Sequence, residues 1–339
     1  MAHQRRLRQE LHRLTHQPTG TSRATSIVPE RIIDCHAHFW DTRRPEHSWP
    51  AASERDGVAN LLYGVRLPEQ LREQCPPLVV GAVVVEAVYT NADNQWMLDM
   101  SDTSEPFVVG LVGKLDVNSP SFRTDLGRFA QHRRFVGIRC SMDELLDAEW
   151  AGAGVMKSLA EMGLQLDLAD TTLTADRVAQ LFAVPPPSDL RIVINHMGSP
   201  RFSRGAEPTD DWVRAIQAAG ARPHTFMKVS AIHSAASEQG PPPPSTWPTL
   251  DGFLPHLQVL WECFGQDSLI YGSDWPVCTM HAPQGVEGDG PAAVYGQALK
   301  LMLEWAAGWG SQEACDKFFW RNALVAYRYD ASQEEARCR

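Results

Sequence analysis

The 339-residue sequence has no apolar stretch of the roughly 20 residues that a membrane-spanning helix requires. Its longest run, Val79 to Tyr89, is interrupted by Glu86. A membrane partner is therefore not expected. Paired cysteine motifs are also missing. The seven cysteines (35, 75, 140, 263, 278, 315 and 338) are scattered, odd in number and never spaced Cys-x-x-Cys. That usage suits free thiols in a reducing compartment, and hence a cytoplasmic protein, better than a disulfide framework or a structural zinc knuckle. Positive charge is scarce: 31 Lys and Arg stand against 41 Asp and Glu, for a net charge of -10. Such a surface repels a phosphate backbone, which argues against a nucleic-acid partner. Finally, there is no phosphate-cradling glycine loop, no Gly-x-Ser-x-Gly elbow, no His-Glu-x-x-His and no internal repeat. Nucleotide hydrolysis by a phosphate loop, serine esterase chemistry of the elbow type and zincin chemistry lose their usual signatures.

The chain instead has the composition of an ordinary globular protein, with 43% hydrophobic residues and 24 each of Gly and Pro. Length alone favours two domains, but α/β barrels of this size fold as one. The first 28 residues stand apart, with five Arg against the single acid Glu10. They read either as an organellar presequence or as a plain disordered extension. The expected division is an extension over 1–30, a folded barrel over 31–330 and a tail over 331–339.

From Arg31 onward, short β-branched runs alternate with segments of helical period. The strands expected are Ile32–Cys35, Val79–Val88, Val108–Leu115, Phe135–Cys140, Leu164–Leu168, Arg191–Asn195, Thr225–Val229 and Ser268–Tyr271. Helices are expected between them, among them Pro68–Gln74, Ala153–Met162, Asp211–Ala219 and Leu250–Phe264. Eight such units over about 300 residues predict an α/β fold of the (β/α)8 TIM-barrel class. An open doubly wound sheet would alternate similarly, but unusual polar residues recur at the C-terminal ends of the strands, where a barrel gathers its site. Two long irregular segments, His38–Leu67 with Trp40, Trp49 and Tyr63, and Ser234–Pro248 with four consecutive prolines and Trp247, are expected to flank the mouth.

Three motifs carry chemistry. Asp34-Cys35-His36-Ala37-His38 ends the first strand, and side chains two apart on a strand share a face. His36 and His38 should therefore project together, able to ligate a metal or to contact a substrate oxygen. The second motif, Asn195-His196-Met197-Gly198, emits a histidine into a turn; a simple cap residue would look the same. The third, Gly272-Ser273-Asp274-Trp275-Pro276, puts a carboxylate after the last strand, where it could equally be an N-cap. Asp167 reads either as a substrate ligand or as a buried paired carboxylate, Arg139 as a substrate contact or an interstrand ion pair, and His233 as a mouth or a loop residue. Together the motifs suit hydrolysis or decarboxylation at a barrel mouth.

On these pieces, with Val83-Val84-Val85-Glu86, Asp93-Asn94, Val136-Gly137-Ile138-Arg139 and Met227-Lys228-Val229-Ser230, the sequence resembles the amidohydrolase-2 branch of the amidohydrolase superfamily. The resemblance spans about residues 31 to 328, and the His-Phe-Trp and Gly-Ser-Asp-Trp-Pro pieces point to its sugar-lactonase and 2-pyrone-4,6-dicarboxylate lactonase group. It implies a barrel hydrolase that opens a small lactone, with Asp274 as general base and His196 polarising the carbonyl. It also implies that His36 and His38 ligate metal or contact the ester oxygen, and that Arg139, Lys228, Glu86, Asp167, Trp40 and Trp275 contact substrate. If a divalent metal binds, with zinc the default, the implied ligands are His36, His38, His196, Asp274 and Glu86. Metal-independent members also exist in the group. Glu86 stands where many members have Gln, and Asn195 where Asp is usual. The alternatives are a metal-dependent decarboxylase of the same superfamily and a catalytically silent binding barrel. Nothing in the sequence specifies a homo-oligomer or excludes one.

Overall fold

The structure is a computed structural model that describes residues 27–47, 49–50, 62–103, 107–146, 151–169, 173–183, 185–200, 207–232, 249–281 and 291–329. The expected tail, nearly all of the expected N-terminal extension, His233 and the proline-rich segment lie outside these residues. Ten strands are described: β1 (Ile32–Ala37), β2 (Trp40–Asp41), β3 (Val65–Arg66), β4 (Val79–Val85), β5 (Val108–Gly113), β6 (Phe135–Cys140), β7 (Gln165–Leu168), β8 (Ile192–Ile194), β9 (Thr225–Val229) and β10 (Leu269–Tyr271). Eight of them form one parallel sheet in the order β1-β4-β5-β6-β7-β8-β9-β10. With helices between successive strands, this is the expected (β/α)8 barrel.

The strands are β-branched runs buried almost throughout, as parallel strands covered on both faces must be. The barrel interior below the mouth is apolar except for a buried Lys228–Asp167 ion pair and Gln165. Ile33, Cys35, Val83, Val85, Val112, Val193, Phe226 and Ile270 meet there with Ala323, Ala326 and Tyr327. The last three come from a C-terminal run of short helical turns, Gln312–Asp316, Lys317–Arg321 and Asn322–Ala326, which plugs the barrel floor. A larger apolar layer, including Leu111, Ile138, Leu166, Met227 and Trp212, packs the outer face of the sheet against the helices.

Seven interfaces of the sheet are hydrogen-bonded ladders. The eighth, between β1 and β10, is different. It is joined beyond the strand ends by one bridge, Ala37 to Trp275. His38 N donates to Trp275 O at 2.7 Å, and Asp274 N donates to His36 O at 2.8 Å. Side chains complete the seam: Asp34 Oδ1 accepts from Ser273 N at 2.8 Å and from His36 N at 3.2 Å, while Tyr295 Oη donates to Asp34 Oδ2 at 3.1 Å. Gly272 is required here, because a Cβ at that position would lie 2.8 Å from His36 Cβ.

Three features differ from the sequence expectation. Strand β4 stops at Val85 rather than Val88, since the next residues bend to let Val88 N donate to Asp93 Oδ2. The helix expected over Leu250–Phe264 is a 3₁₀ turn at Leu250–Gly252 followed by a helix over Leu254–Ser268 with Pro255 in its first turn, where a missing N–H costs nothing. The two-residue β2–β3 pairing was unforeseen; it folds part of the His38–Leu67 segment back on itself.

Candidate active site

A β-bulge begins the site. The register of β1 on β4 shifts between Asp34 and Ala37, so that three residues of β1 span two of β4. Bulges bend a strand and re-aim its side chains. Cys35 still belongs to the apolar interior, and beyond the bulge His36 and His38 turn toward each other, their Nε2 atoms 3.1 Å apart. Asp274 enters from the opposite side of the seam, with Oδ1 3.3 Å from His38 Nε2 and 3.5 Å from His36 Nε2. Asp274 adopts φ 66°, and His196 φ 51°. Left-handed backbone is uncommon for residues with a Cβ and collects at functional sites.

The groups behind these side chains give each one its direction. His38 Nδ1 lies 2.9 Å from Glu86 O and 3.1 Å from Val85 O, so it donates to backbone, and its Nε2 faces Asp274 and the cavity. His36 Nδ1 instead faces the Lys228 ammonium at 3.3 Å, which donates to it and puts the ring proton on Nε2. Lys228 is in turn held by Asp167 Oδ2 at 2.7 Å. His196 rests with Nδ1 2.9 Å from Ser230 Oγ, and its Nε2 lies 3.5 Å from Arg139. A serine hydroxyl can accept from Nδ1–H or donate to Nδ1, so either tautomer of His196 is available. Arg139 also pairs with Glu86 at 3.4 Å.

Burial and charge sort the protonation states. Burial disfavours the charged Asp274, but His196, His38 and the Arg139 guanidinium together outweigh it, and the carboxyl is held below the usual carboxylate range. Burial pushes His196 down to about 3, against the opposing pull of Asp274, so its ring is neutral. His36 is likewise pushed well down, by burial and then by Lys228. Burial pushes Glu86 up, with Arg139 opposing. The arrangement is an ionised carboxylate among three imidazoles, of which His36 and His196 are neutral, with a guanidinium beside them: a base and a set of polar groups facing one space.

That space is a cavity of about 360 Å³ at the C-terminal end of the barrel, lined by His38, Glu86, Arg139, His196 and Asp274 and rimmed by Trp49 and Tyr89. A second cavity of about 520 Å³ shares Glu86, Tyr89 and Arg139 with it. Of the residues expected to act, His38, His196, Asp274, Arg139 and Glu86 therefore converge on the mouth. His36 lies just beneath, fully buried, and reaches the cavity through His38 and Asp274. Lys228 and Asp167 are fully buried and act on the mouth only through His36. Trp40 and Trp275, expected to touch substrate, line neither described cavity. Trp40 is buried with Nε1 donating to Leu62 O, and Trp275 packs on Phe39 with Nε1 donating to Gln74. Trp49, which rims the mouth with Tyr89, places part of the His38–Leu67 segment there.

Sequence reasoning assigned no role to Asp34, Ser230, Tyr89 or Tyr295. The first two stand inside motifs, but their partners come from distant strands, so only the fold reveals what they do.

Donor atoms of His36, His38 and Asp274 lie within 4.8 Å of one another, a grouping fit to hold a divalent cation. His38 donates its other ring N–H to backbone, as metal-bound histidines commonly do. His36 has the reverse arrangement while Lys228 donates to it. Glu86 and His196, both also expected as ligands, are outside this group: the carboxylate turns to Arg139, and His196 to Ser230 and Arg139.

Comparison with known proteins agrees with this architecture. L-Fucono-1,5-lactonase of Burkholderia ambifaria is 29% identical over 315 residues, covering 88% of this chain and 96% of that protein. Among solved structures, an amidohydrolase of Burkholderia multivorans crystallised with bound zinc superposes with a TM-score of 0.71 at 21% identity, covering 88% of this chain and all of that one. A Pseudomonas putida protein assigned as a 2-pyrone-4,6-dicarboxylic acid hydrolase superposes at 0.62, with 22% identity and coverage of 89% and 99%. The Amidohydrolase family profile matches residues 33–329, the whole barrel with its mouth, and the chain belongs to the amidohydrolase family.

Proposed function

We propose that the protein hydrolyses a small neutral lactone, of the sugar-acid kind, at this mouth. The observation that carries the reading is Asp274: a buried carboxylate, kept ionised by His196, His38 and Arg139, that faces a cavity also lined by that guanidinium and by both imidazoles. Opening a cyclic ester needs a base for water and donors for the oxygen that becomes negative. Asp274 takes a proton from water as its oxygen attacks the carbonyl carbon. Arg139, and His196 in its Nε2–H tautomer, hold the oxyanion. When the ring C–O bond breaks, the proton on Asp274 passes to the departing alkoxide, and the carboxylate is restored. Lys228 fixes His36 so that its Nε2–H points toward Asp274, which holds the base in one orientation.

A divalent cation, zinc by the donor types, would be held by His36, His38 and Asp274 and would supply Lewis-acid polarisation of the carbonyl.

Charge favours a neutral sugar lactone over a pyrone dicarboxylate. Arg139 faces Glu86, Lys228 faces Asp167 and Lys114 faces Glu144. Every one of these three cations is already paired with a carboxylate, so a dianion would find little uncompensated positive charge. The name of the Burkholderia ambifaria relative supports the same substrate class. The test is a pH-indicator hydrolysis screen over sugar lactones and pyrone carboxylates, run with metal analysis of the purified protein. Turnover of sugar lactones with inert pyrone carboxylates is the expected result. Release of CO₂ from aromatic acids without lactone opening would move the protein to the decarboxylase class.

A further inference from the structure

The second cavity opens off the first across the Glu86–Arg139 pair, and the lactone-opening groups do not need it. Five residues belong to it alone: Lys114, Asp116, Ser141, Glu144 and Ala169. Its polar floor is held rigidly. Asn94 clamps the backbone of Lys114 from both sides, accepting from Lys114 N at 3.0 Å and donating to Lys114 O at 2.7 Å. The Lys114 ammonium reaches both oxygens of Glu144, with Oε2 at 2.6 Å. Glu144 Oε2 also accepts from Ser141 N at 2.8 Å and from Ser141 Oγ at 3.1 Å. Above this floor the Tyr89 ring, 74% exposed, rims both cavities, with Lys114 Nζ 5.5 Å from its centre.

The chemistry of the lining selects a ligand class. Two cations, Lys114 and Arg139, stand against three carboxylates, Glu86, Asp116 and Glu144, which disfavours an anionic group. An ammonium has three N–H donors and only two carboxylate oxygens engage this one, while Asp116 and Glu144 keep acceptor capacity. Fixed donors and acceptors side by side under an exposed aromatic ring match the hydroxyls and C–H face of a sugar. The chamber is larger than the one at the catalytic carboxylate, about 520 against 360 Å³. A single lactone ring at Asp274 leaves it unfilled.

Resting on the lactonase reading above, we propose that this chamber is a subsite for a neutral hydroxylated substituent of the lactone, so that the preferred substrates carry a second sugar residue. The Glu86–Arg139 pair then sits at the junction, touching both rings.

The test compares kcat/KM of the full chain for a six-carbon 6-deoxyaldonolactone with that for an aldobionolactone, a hexonolactone bearing a second neutral hexose. The wild type is expected to favour the aldobionolactone at least tenfold. Lys114→Met, which removes donors, and Ala169→Phe, which fills the chamber, are each expected to cut that preference about tenfold. Loss of preference in either variant, while the deoxy lactone is still opened, supports the subsite. Wild-type protein that opens the deoxy lactone as well as or better than the aldobionolactone overturns the subsite alone, as does a preference that survives both substitutions. Wild-type protein that opens neither overturns the lactonase reading, and the subsite with it.

Discussion

The barrel is closed in two different ways. Seven of its interfaces are ladders of backbone hydrogen bonds backed by apolar packing, as between β6 and β7, where four consecutive residue pairs stay in register. The eighth, between β1 and β10, has a single bridge and depends on side chains: Asp34, Ser273 and Tyr295. The proposed chemistry sits at the second kind. His36, His38 and Asp274 all lie on the seam, where the chain leaves regular strand geometry and the bulge and left-handed residues can aim side chains that a ladder would hold perpendicular to the sheet. Ladders supply stability, and the seam supplies direction.

The largest effect is expected at the seam, on rate. Asp274→Asn keeps volume and backbone but removes the base, so lactone hydrolysis should fall by roughly 10²- to 10⁴-fold with binding retained. An N-cap would tolerate Asn, so turnover within about twofold of wild type would remove Asp274 from the mechanism. The same base predicts a pH profile. It acts only when ionised and its carboxyl is held low, so kcat/KM should persist on the acid side until the pH falls below about 4, near the ordinary aspartate value.

Asp34→Ala probes the seam itself. It strips the acceptor from Ser273 N, His36 N and Tyr295 Oη together. Each buried donor left unsatisfied costs about 1–3 kcal/mol, and Asp274 loses its support. A fall in stability of at least about 3 kcal/mol, with a loss of kcat beyond that explained by unfolded protein, is expected from denaturant titration and steady-state rates. Unchanged kcat in the folded fraction would separate the seam from the chemistry.

The ladder side should show the converse. Leu111, 1% exposed on β5, packs in the outer apolar layer. Leu111→Ala should cost about 2–5 kcal/mol by cavity formation while kcat/KM of the folded enzyme stays within about twofold. A rate loss comparable to that of Asp34→Ala would erase the distinction between the two kinds of closure.

The smallest effect is in the helical layer, far from the seam. Burial pushes His256, which packs on Trp212, down to about 4. The unfolded state therefore binds the proton more tightly. The stability contributed by neutral His256 is fully present above about pH 6.5 and is lost progressively as pH falls toward 4. At pH 5 the loss is about 2 kcal/mol by the 1.36 kcal/mol per pKa unit conversion. His256→Gln should flatten that part of the stability–pH curve, as read by denaturant midpoints, without moving the rate profile.

Much of this was legible in the chain. Continuous β-branched runs such as Val79–Val85 mark strands covered on both faces, and alternation with helices gives the barrel. His36, His38 and Asp274 were readable because spacing and position at strand ends carry their direction. What escaped was set by tertiary partners. Trp40 and Trp275 were implied as substrate contacts, yet their indole N–H groups are claimed by Leu62 O and Gln74. Lys228 was likewise implied as a substrate contact, but it is buried, and Asp167, open in the sequence between substrate ligand and buried paired carboxylate, is the partner that pairs with it. The second chamber left no signature, since Lys114 follows β5 while Ser141 and Glu144 follow β6, and they meet only because those strands are neighbours.

The floor of the barrel has a consequence for how the molecule comes into being. Ser273 meets Asp34 across 239 positions of sequence, and the plug of Ala323, Ala326 and Tyr327 is drawn from residues still later in the chain. A polypeptide leaving the ribosome carries His36 and His38 long before Asp274 has been made. Asp274, the seam and the plug all come late in the sequence, and contacts so distant are slow to form. A fragment ending before Leu269 lacks Asp274, the β1–β10 seam and the plug together, so the proposed site can be completed only after the last strand has emerged.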